Sequence, residues 1–343
     1  MTSGPLTGAP VSRQRPPPAW SLSLDGVRTV FRWELRRGFR AASWNARVAV
    51  WTAVVALLVA ALAAGWTPRE APGPSTLGIV ALTVLALSLT VTASLTTGAH
   101  NGETSLLRAP RSAWISAADA ALGALLAAWA NGLLFLAAVT PFVAYAGVQG
   151  GTPLRQIATS LAVIAVTLLV AAAVGLGWSS VVRRPMVGTA LAQGTLAALA
   201  FGPLLLFGLT QPLVTSDERV RVYTVGADPD TGIGGACSRE PRLVTVPQVH
   251  TEHTWWLLAP SPYVVIADAA PGRAQAGDVL ATLRDAIRES RRGPDDVIDR
   301  CRDTLPPDVA AVWPYGVAAM LVVGGAFVAV TVRRLGRRDA PWR

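Results

Sequence analysis

Residues 157–182 read IATSLAVIAVTLLVAAAVGLGWSSVV and are followed at once by Arg183 and Arg184. No charged side chain interrupts the stretch. At a rise of ~1.5 Å per residue it is long enough to cross a hydrocarbon core of roughly 30 Å. Five further stretches read the same way: 48–65, 76–97, 117–146, 187–209 and 309–332. Six such stretches predict an all-α integral membrane protein with six transmembrane helices. An N-terminal signal peptide fits poorly, because the first apolar run begins near residue 48, so that run is read as a retained anchor.

Arginine placement predicts the orientation, because short loops rich in basic residues stay in the cytoplasm. With the N-terminus inside, the short inner pieces hold Arg13, Arg15, Arg28, Arg32, Arg36, Arg37, Arg40, Arg47, Arg108, Arg111, Arg183, Arg184, Arg333, Arg334, Arg337, Arg338 and Arg343. The short outer loops hold only Arg69 and Arg155. This asymmetry, 17 against 2, predicts a multi-pass protein of a bacterial cell membrane with both termini cytoplasmic. Residues 210–308 then form an extracytoplasmic insertion between spans five and six.

The formal charge of +9 divides unevenly. Residues 210–308 hold 11 arginines against 15 acidic residues, so the remainder of the chain carries +13. Basic charge in short inner loops faces anionic headgroups, each residue contributing about 1 kcal/mol near the surface. Membrane lipid is therefore the expected partner of this charge, and nucleic acid is not. All 30 basic residues are arginine. A lysine-free chain has no Walker A lysine to reach nucleotide phosphates and no Schiff-base lysine, so it is not expected to be a P-loop ATPase, and with no His or Lys near enough to the Ser and Thr of span two to activate a nucleophile it is not expected to be an enzyme. Its Ala, Gly, Pro and Val content suggests a high-GC bacterial genome.

Along the chain, residues 1–20 are rich in Pro, Gly, Ser and Arg and read as a disordered cytoplasmic tail. Residues 21–46 read as an interfacial amphipathic helix. In it Leu24, Val27, Val30, Phe31, Leu35 and Phe39 recur at helical spacing, and Arg28, Arg32, Arg36 and Arg40 lie on another face. A cytosolic extension of the first span is the alternative. Residues 47–209 hold spans one to five, with an inner loop at 100–116. Asn101-Gly102 signals a turn there and Pro110 a helix break, and Leu106, Leu107, Trp114 and Ile115 offer apolar contacts beside Glu103, Arg108 and Arg111. Residues 309–332 form span six, and 333–343 a basic cytoplasmic tail.

The insertion is mixed. Strands are expected at 220–225 and 243–249, and a helix at 278–292 with Val279, Leu280, Leu283 and Ile287 on one face. The stretch 255–266, WWLLAPSPYVVI, is apolar but twice interrupted by proline. It is expected to dip into or rest on the outer leaflet, the alternative being the buried core of a small outer domain. Cys237 and Cys301 both fall outside the membrane in this topology, where a disulfide can persist, against two free thiols.

Chemistry inside the spans is sparse. Asp119 sits at the inner start of span three, where water or an arginine is expected to reach it, and Asn131 and Gln193 lie deeper as expected interhelical hydrogen-bond partners. Proton or sodium coupling has no visible carrier. His250-Thr251-Glu252-His253 lacks the H-E-x-x-H spacing of metalloproteases and reads as a solvated or satisfied pair. No metal and no cofactor is expected.

The order of these parts resembles the permease subunits of ATP-binding-cassette transporters of the type-2 exporter class. Val30-Phe31-Arg32-Trp33-Glu34-Leu35-Arg36-Arg37 looks like the interfacial connecting helix of that family, with Phe31, Arg32, Glu34, Leu35 and Arg36 as its working positions. Glu103-Thr104-Ser105-Leu106-Leu107 through Ala121-Leu122-Gly123 is similar to the coupling-helix stretch, although relatives continue with Gly-Lys and here Ala124 follows. Trp255-Trp256-Leu257-Leu258-Ala259-Pro260-Ser261-Pro262 looks like the outer Pro-rich element of many actinobacterial members.

The resemblance implies a permease that pairs with a second permease half, as homodimer or heterodimer, and with separate nucleotide-binding ATPase subunits. Glu103, Leu106, Leu107, Arg108, Arg111 and Trp114 would form the ATPase-coupling loop. An uncharged span interior favours export of an amphipathic or lipid-like substrate. A membrane-anchored sensor or envelope assembly factor with an extracytoplasmic binding domain is the alternative.

Overall fold

The computed structural model describes residues 18–40, 43–64, 75–100, 115–149, 151–182, 184–223, 225–227, 234–237, 241–270, 278–294, 297–299 and 309–338. Most of them are helical. In chain order the helices are α1 Leu24–Arg40, α2 Ser43–Ala64, α3 Ser75–His100, α4 Ala117–Gln149, α5 Leu154–Val181 and α6 Pro185–Thr210, followed later by α7 Pro262–Ala269, α8 Val279–Arg292 and α9 Trp313–Arg338. Among the described residues, α4, α5, α6 and α9 are long and apolar enough to cross a membrane. Within α2 and α3 the shorter apolar stretches are Asn45–Ala61 and Leu77–Thr92.

The consecutive helices α4 and α5 run in opposite directions, Gly147 at the end of one meeting Ile157 at the start of the next, whereas α5 and α9 run parallel, Gly177 meeting Phe327 and Gly324 meeting Ala173. Trp129 Nε1 of α4 donates to the Ala165 carbonyl of α5 at 2.8 Å, and Gln193 Nε2 of α6 donates to the Thr90 carbonyl of α3 at 2.7 Å. Trp51 Nε1 of α2 reaches the Phe135 carbonyl of α4 at 3.2 Å. Val55, Leu77, Val84, Val139, Ile164 and Met320, all fully buried, lie at the centre of the bundle. In lipid, helix association has little hydrophobic drive, so this close packing and the interhelical hydrogen bonds are what distinguish the assembled bundle from separated helices.

Between α6 and α9 lies a mixed segment. Strands β1 Thr215–Tyr223, β2 Val225–Ala227, β3 Gly234–Cys237, β4 Arg242–Val249 and β5 Val297–Asp299 form a three-stranded sheet, ordered β4-β1-β5, and a β2–β3 hairpin. β1 pairs antiparallel with β4, with Thr215 opposite Val249 and Val222 opposite Arg242, and parallel with β5. The second expected strand and the helix are present at nearly the expected places, whereas the first strand, expected at 220–225, already starts at Thr215 and ends at Tyr223. The Asp278 carboxylate caps α8 by accepting the Leu280 and Ala281 N–H groups at 3.1 and 3.2 Å.

Two expectations need correction. Span six was expected to start at 309, but α9 starts at Trp313 because the carboxylate of Asp268 caps it there, accepting the N–H groups of Val312 and Trp313. Its helix then continues through Arg333, Arg334 and Arg337, residues expected to lie in a separate tail. Second, 255–266 is not a peripheral stretch, and its second half is packed inside protein. Val264, Val265, Ile266 and Ala267 are buried, and α7 packs against α5, α8 and α9 at one end of the bundle. Backbone that enters such a region is tolerated where protein covers it. Trp256 alone among its aromatics stays largely open, at 59% exposure.

Candidate functional site

The two ends of the helix bundle are built differently, and the α1 end holds the residues singled out by the sequence. α1 packs along α4 through Gly26, Val27, Val30 and Glu34. Gly123 of α4 is where the helices meet: a Cβ there would lie 2.6 Å from Val30 Cβ and 2.8 Å from the Val27 carbonyl, so only glycine permits this approach. The packed stripe is offset from the apolar stripe read in the sequence. Leu24 and Phe39 remain exposed, Phe31 and Leu35 are half-buried, and Arg28, Arg32 and Arg36 point away from the bundle. The helix therefore presents three faces, one to α4, one apolar and one basic. Glu34 falls on the first, 6% exposed, with Arg37 at 3.6 Å and Arg37 in turn over the Trp33 ring.

A small polar network fixes where α1 begins. Ser23 caps α1, its Oγ accepting the Gly26 N–H at 2.9 Å. Ser116 and Asp119 cap α4 reciprocally: Ser116 Oγ accepts the Asp119 N–H at 3.0 Å and Asp119 Oδ2 accepts the Ser116 N–H at 3.3 Å. The other oxygen, Oδ1, accepts the Ser23 N–H at 2.7 Å. Ala118 N–H adds a bond to the Ala19 carbonyl at 2.9 Å, and Ser116 Oγ donates to the Ser21 carbonyl. Asp119 is 2% exposed, so the expectation that water or an arginine reaches it is wrong. Its charge faces the amino ends of two helices, where orphan N–H groups and both helix dipoles favour an anion. The C-terminal turn of α9 comes to the same place, Val332 and Leu335 packing with Ala117, Ala121 and Ala19.

The loop 101–114, with Glu103, Leu106, Leu107, Arg108, Arg111 and Trp114, lies outside the described residues. Its exit is fixed, because Ile115 and Ser116 lead straight into the Asp119 network. Cys301 also lies outside them, and of Cys237 only its backbone place at the end of β3 is described. Residues 1–17 of the expected tail are likewise outside. Of the expected polar residues within the bundle, Gln193 does bond across helices. Asn131 Oδ1 is buried without a hydrogen-bond partner, close to where Gly38 of α1 passes.

The opposite end carries a cap made of the sheet, α7 and α8. On one side of α8, Arg284 and Arg288 join it to α7 and Arg291 joins it to the chain leading into α9. Arg288 Nε donates to Asp268 Oδ1 at 2.8 Å, and Arg284 Nη1 to the Ala270 carbonyl at 3.3 Å. Arg291 bonds the Ala310 carbonyl at 2.7 Å and lies 4.5 Å from the Trp255 ring centroid and 5.5 Å from that of Tyr315. The apolar face read for α8 is therefore only half of what it buries: Leu280 and Ile287 are buried, Leu283 is 40% exposed, and Arg284 is buried in its place. A cavity of about 330 Å³ lies where cap and bundle meet, lined by apolar side chains including Leu82, Phe201, Leu204, Leu258 and Ile287 and by Tyr263.

Sequence reading missed Ser23, Ser116 and Asp268. Ser116-x-x-Asp119 is a variant of the helix-capping pattern and could have been found; the reach of Asp268 to α9, across 44 residues, has no local signal. No protein-family model, no curated protein and no solved structure matches the chain.

Proposed function

We propose that this chain is the membrane-spanning permease subunit of an ATP-binding-cassette transporter of the type-2 exporter class. It moves an amphipathic or lipid-like substrate outward with ATP hydrolysed by a separate nucleotide-binding subunit. The observation that carries this reading is the Asp119 network, in which one carboxylate holds the start of α1 and the start of α4, directly after the 101–114 loop. A partner that pushes on that loop from the cytoplasm moves both helices together, which is what an ATP-driven stroke needs.

In this reading α2, α3, α4, α5, α6 and α9 are the six spans, α1 lies at the inner interface with its arginines on the headgroups, and the cap is extracytoplasmic. Cys237 and Cys301 are then free to bond to each other. Two further features support the reading. Phe201, Leu205, Leu206 and Leu209 make an exposed apolar face on α6, suited to lipid or to a second permease half. The 330 Å³ cavity beside it is apolar, in keeping with cargo of lipid character. The cap itself favours the second reading, a membrane-anchored sensor or assembly factor, because it is a folded unit of sheet and helices able to bind an envelope partner.

Isolation of the tagged chain from its native membrane in mild detergent separates the two. The permease reading expects a stoichiometric partner that carries a Walker A loop and ATPase activity quenched by mutation of that loop. Recovery with envelope proteins and no ATPase would replace it by the sensor reading.

A further inference from the structure

We propose that His250, Glu252 and His253 form a binding site for a zinc-class divalent cation on the cap, a property independent of the transport reading. The sequence spacing fails for a helical site, but the chain here is not an α-helix. His250 ends β4 and Thr251–His253 form a single 3-10 turn, which folds His253 back toward His250. His250 Nδ1 lies 2.8 Å from Glu252 Oε1, His253 Nε2 lies 3.8 Å from the same oxygen, and one ligating atom of each residue lies within 4.8 Å of the others. Ligands ~2.1 Å from a tetrahedral zinc ion sit about 3.4 Å apart, so side-chain rotations of under ~1 Å close the set. Two imidazoles and one carboxylate leave a fourth position for water.

Three features make this more than a chance meeting of polar side chains. The second nitrogen of His250 is already held: Nε2 lies 3.2 Å from Glu218 Oε1 and 2.9 Å from Ser216 Oγ, both on β1. A ligating histidine has its other ring nitrogen oriented in this way by a carboxylate, and here that contact sets the ring so that Nδ1 faces Glu252. Glu252 is also fixed. Gly293, at φ +80° beyond the end of α8, lies so close that a Cβ there would collide with the Glu252 carboxylate, whose Oε2 is shielded and without a hydrogen-bond partner. Its Oε1 is left facing both histidines. Finally, His253 is 71% exposed at its side chain and gives the ion a path from solvent.

Charge favours a cation here. Glu252 and Glu218 face His250, and the hydrogen bond that its ring makes to Glu252 is the main cause that raises its pKa above the ordinary value, against an opposing effect of burial. A bound cation would sit between His250 Nδ1 and Glu252 Oε1, now 2.8 Å apart. Bound, it ties the turn after β4 to β1 through His250.

The test uses the full chain in detergent, stripped with a chelator and titrated with zinc alone by calorimetry, with bound metal counted after dialysis. The site predicts about one ion per chain. Affinity should drop at least about tenfold in His253→Ala and in Glu252→Gln, and by roughly 10–100-fold in Glu218→Gln through loss of orientation. His100→Asn, which removes the other histidine of the chain, should bind as the parent does. Melting of the metal-free variants at the parent temperature establishes that they are folded. Substoichiometric zinc on the parent, or His253→Ala binding as tightly as the parent, overturns the proposal. So does equal loss in His100→Asn.

Discussion

The α1 end and the cap end of the bundle both place a buried aspartate at the start of a long helix, and the partners differ. Asp119 is satisfied by the backbone N–H groups of Ser23 and Ser116 and by the Ser23 hydroxyl, whereas Asp268 combines the N–H groups at the start of α9 with the Arg288 guanidinium. A hydrogen-bonded cap keeps its direction when two helices tilt together. An ion pair reinforced by Arg284 and Arg291 on the same helix resists any displacement of α8 from α9. Under the proposed function, force would enter at the α1 end through the 101–114 loop while the cap end holds α8 to α9.

The largest expected effect therefore lies at the cap. Asp268→Ala leaves Arg288 without its carboxylate and α9 without its cap, and removing one partner of a buried pair costs about 3–5 kcal/mol. Thermal melting in detergent should fall strongly, and limited proteolysis should cut between α7 and α9. A variant that melts with the parent would mean that the cap does not anchor the bundle.

Gly123→Leu comes next. Four added carbons at the α1–α4 crossing have no space, since Val30 and the Val27 backbone occupy it, and overpacking of this kind costs about 1–3 kcal/mol. The expected result is a folded bundle from which α1 has detached, seen as protease cleavage within 21–40 and no loss of the α4–α5 pair. Asp119→Asn should weaken the same junction less, because the amide retains one acceptor oxygen. Equal protection of α1 in all three proteins would contradict the docking described.

What the sequence made legible follows from range. Long uncharged stretches mark α4, α5, α6 and α9 directly, and local alternation and capping mark β4 and α8. The end of α9 escaped because arginines near a helix end look like a tail, although they extend the helix when their stems lie along it. The rotation of α1 escaped because Gly26 and Glu34, poor in apolar surface, share the packed face with Val27 and Val30, the residues that meet Gly123. Glu218 and His250 come together only through strand pairing, so the cation site was invisible in a spacing of four residues. The coupling residues themselves were legible only by resemblance.

Leu107→Asp in the assembled complex tests the central claim most directly. If Leu107 seats in a partner ATPase, an unpaired carboxylate there costs a few kcal/mol of interface stability, while the isolated chain should insert and melt unchanged. The account predicts loss of the ATPase from the purified complex and loss of its substrate-stimulated hydrolysis. Parent-like subunit stoichiometry together with parent-like stimulation would contradict it.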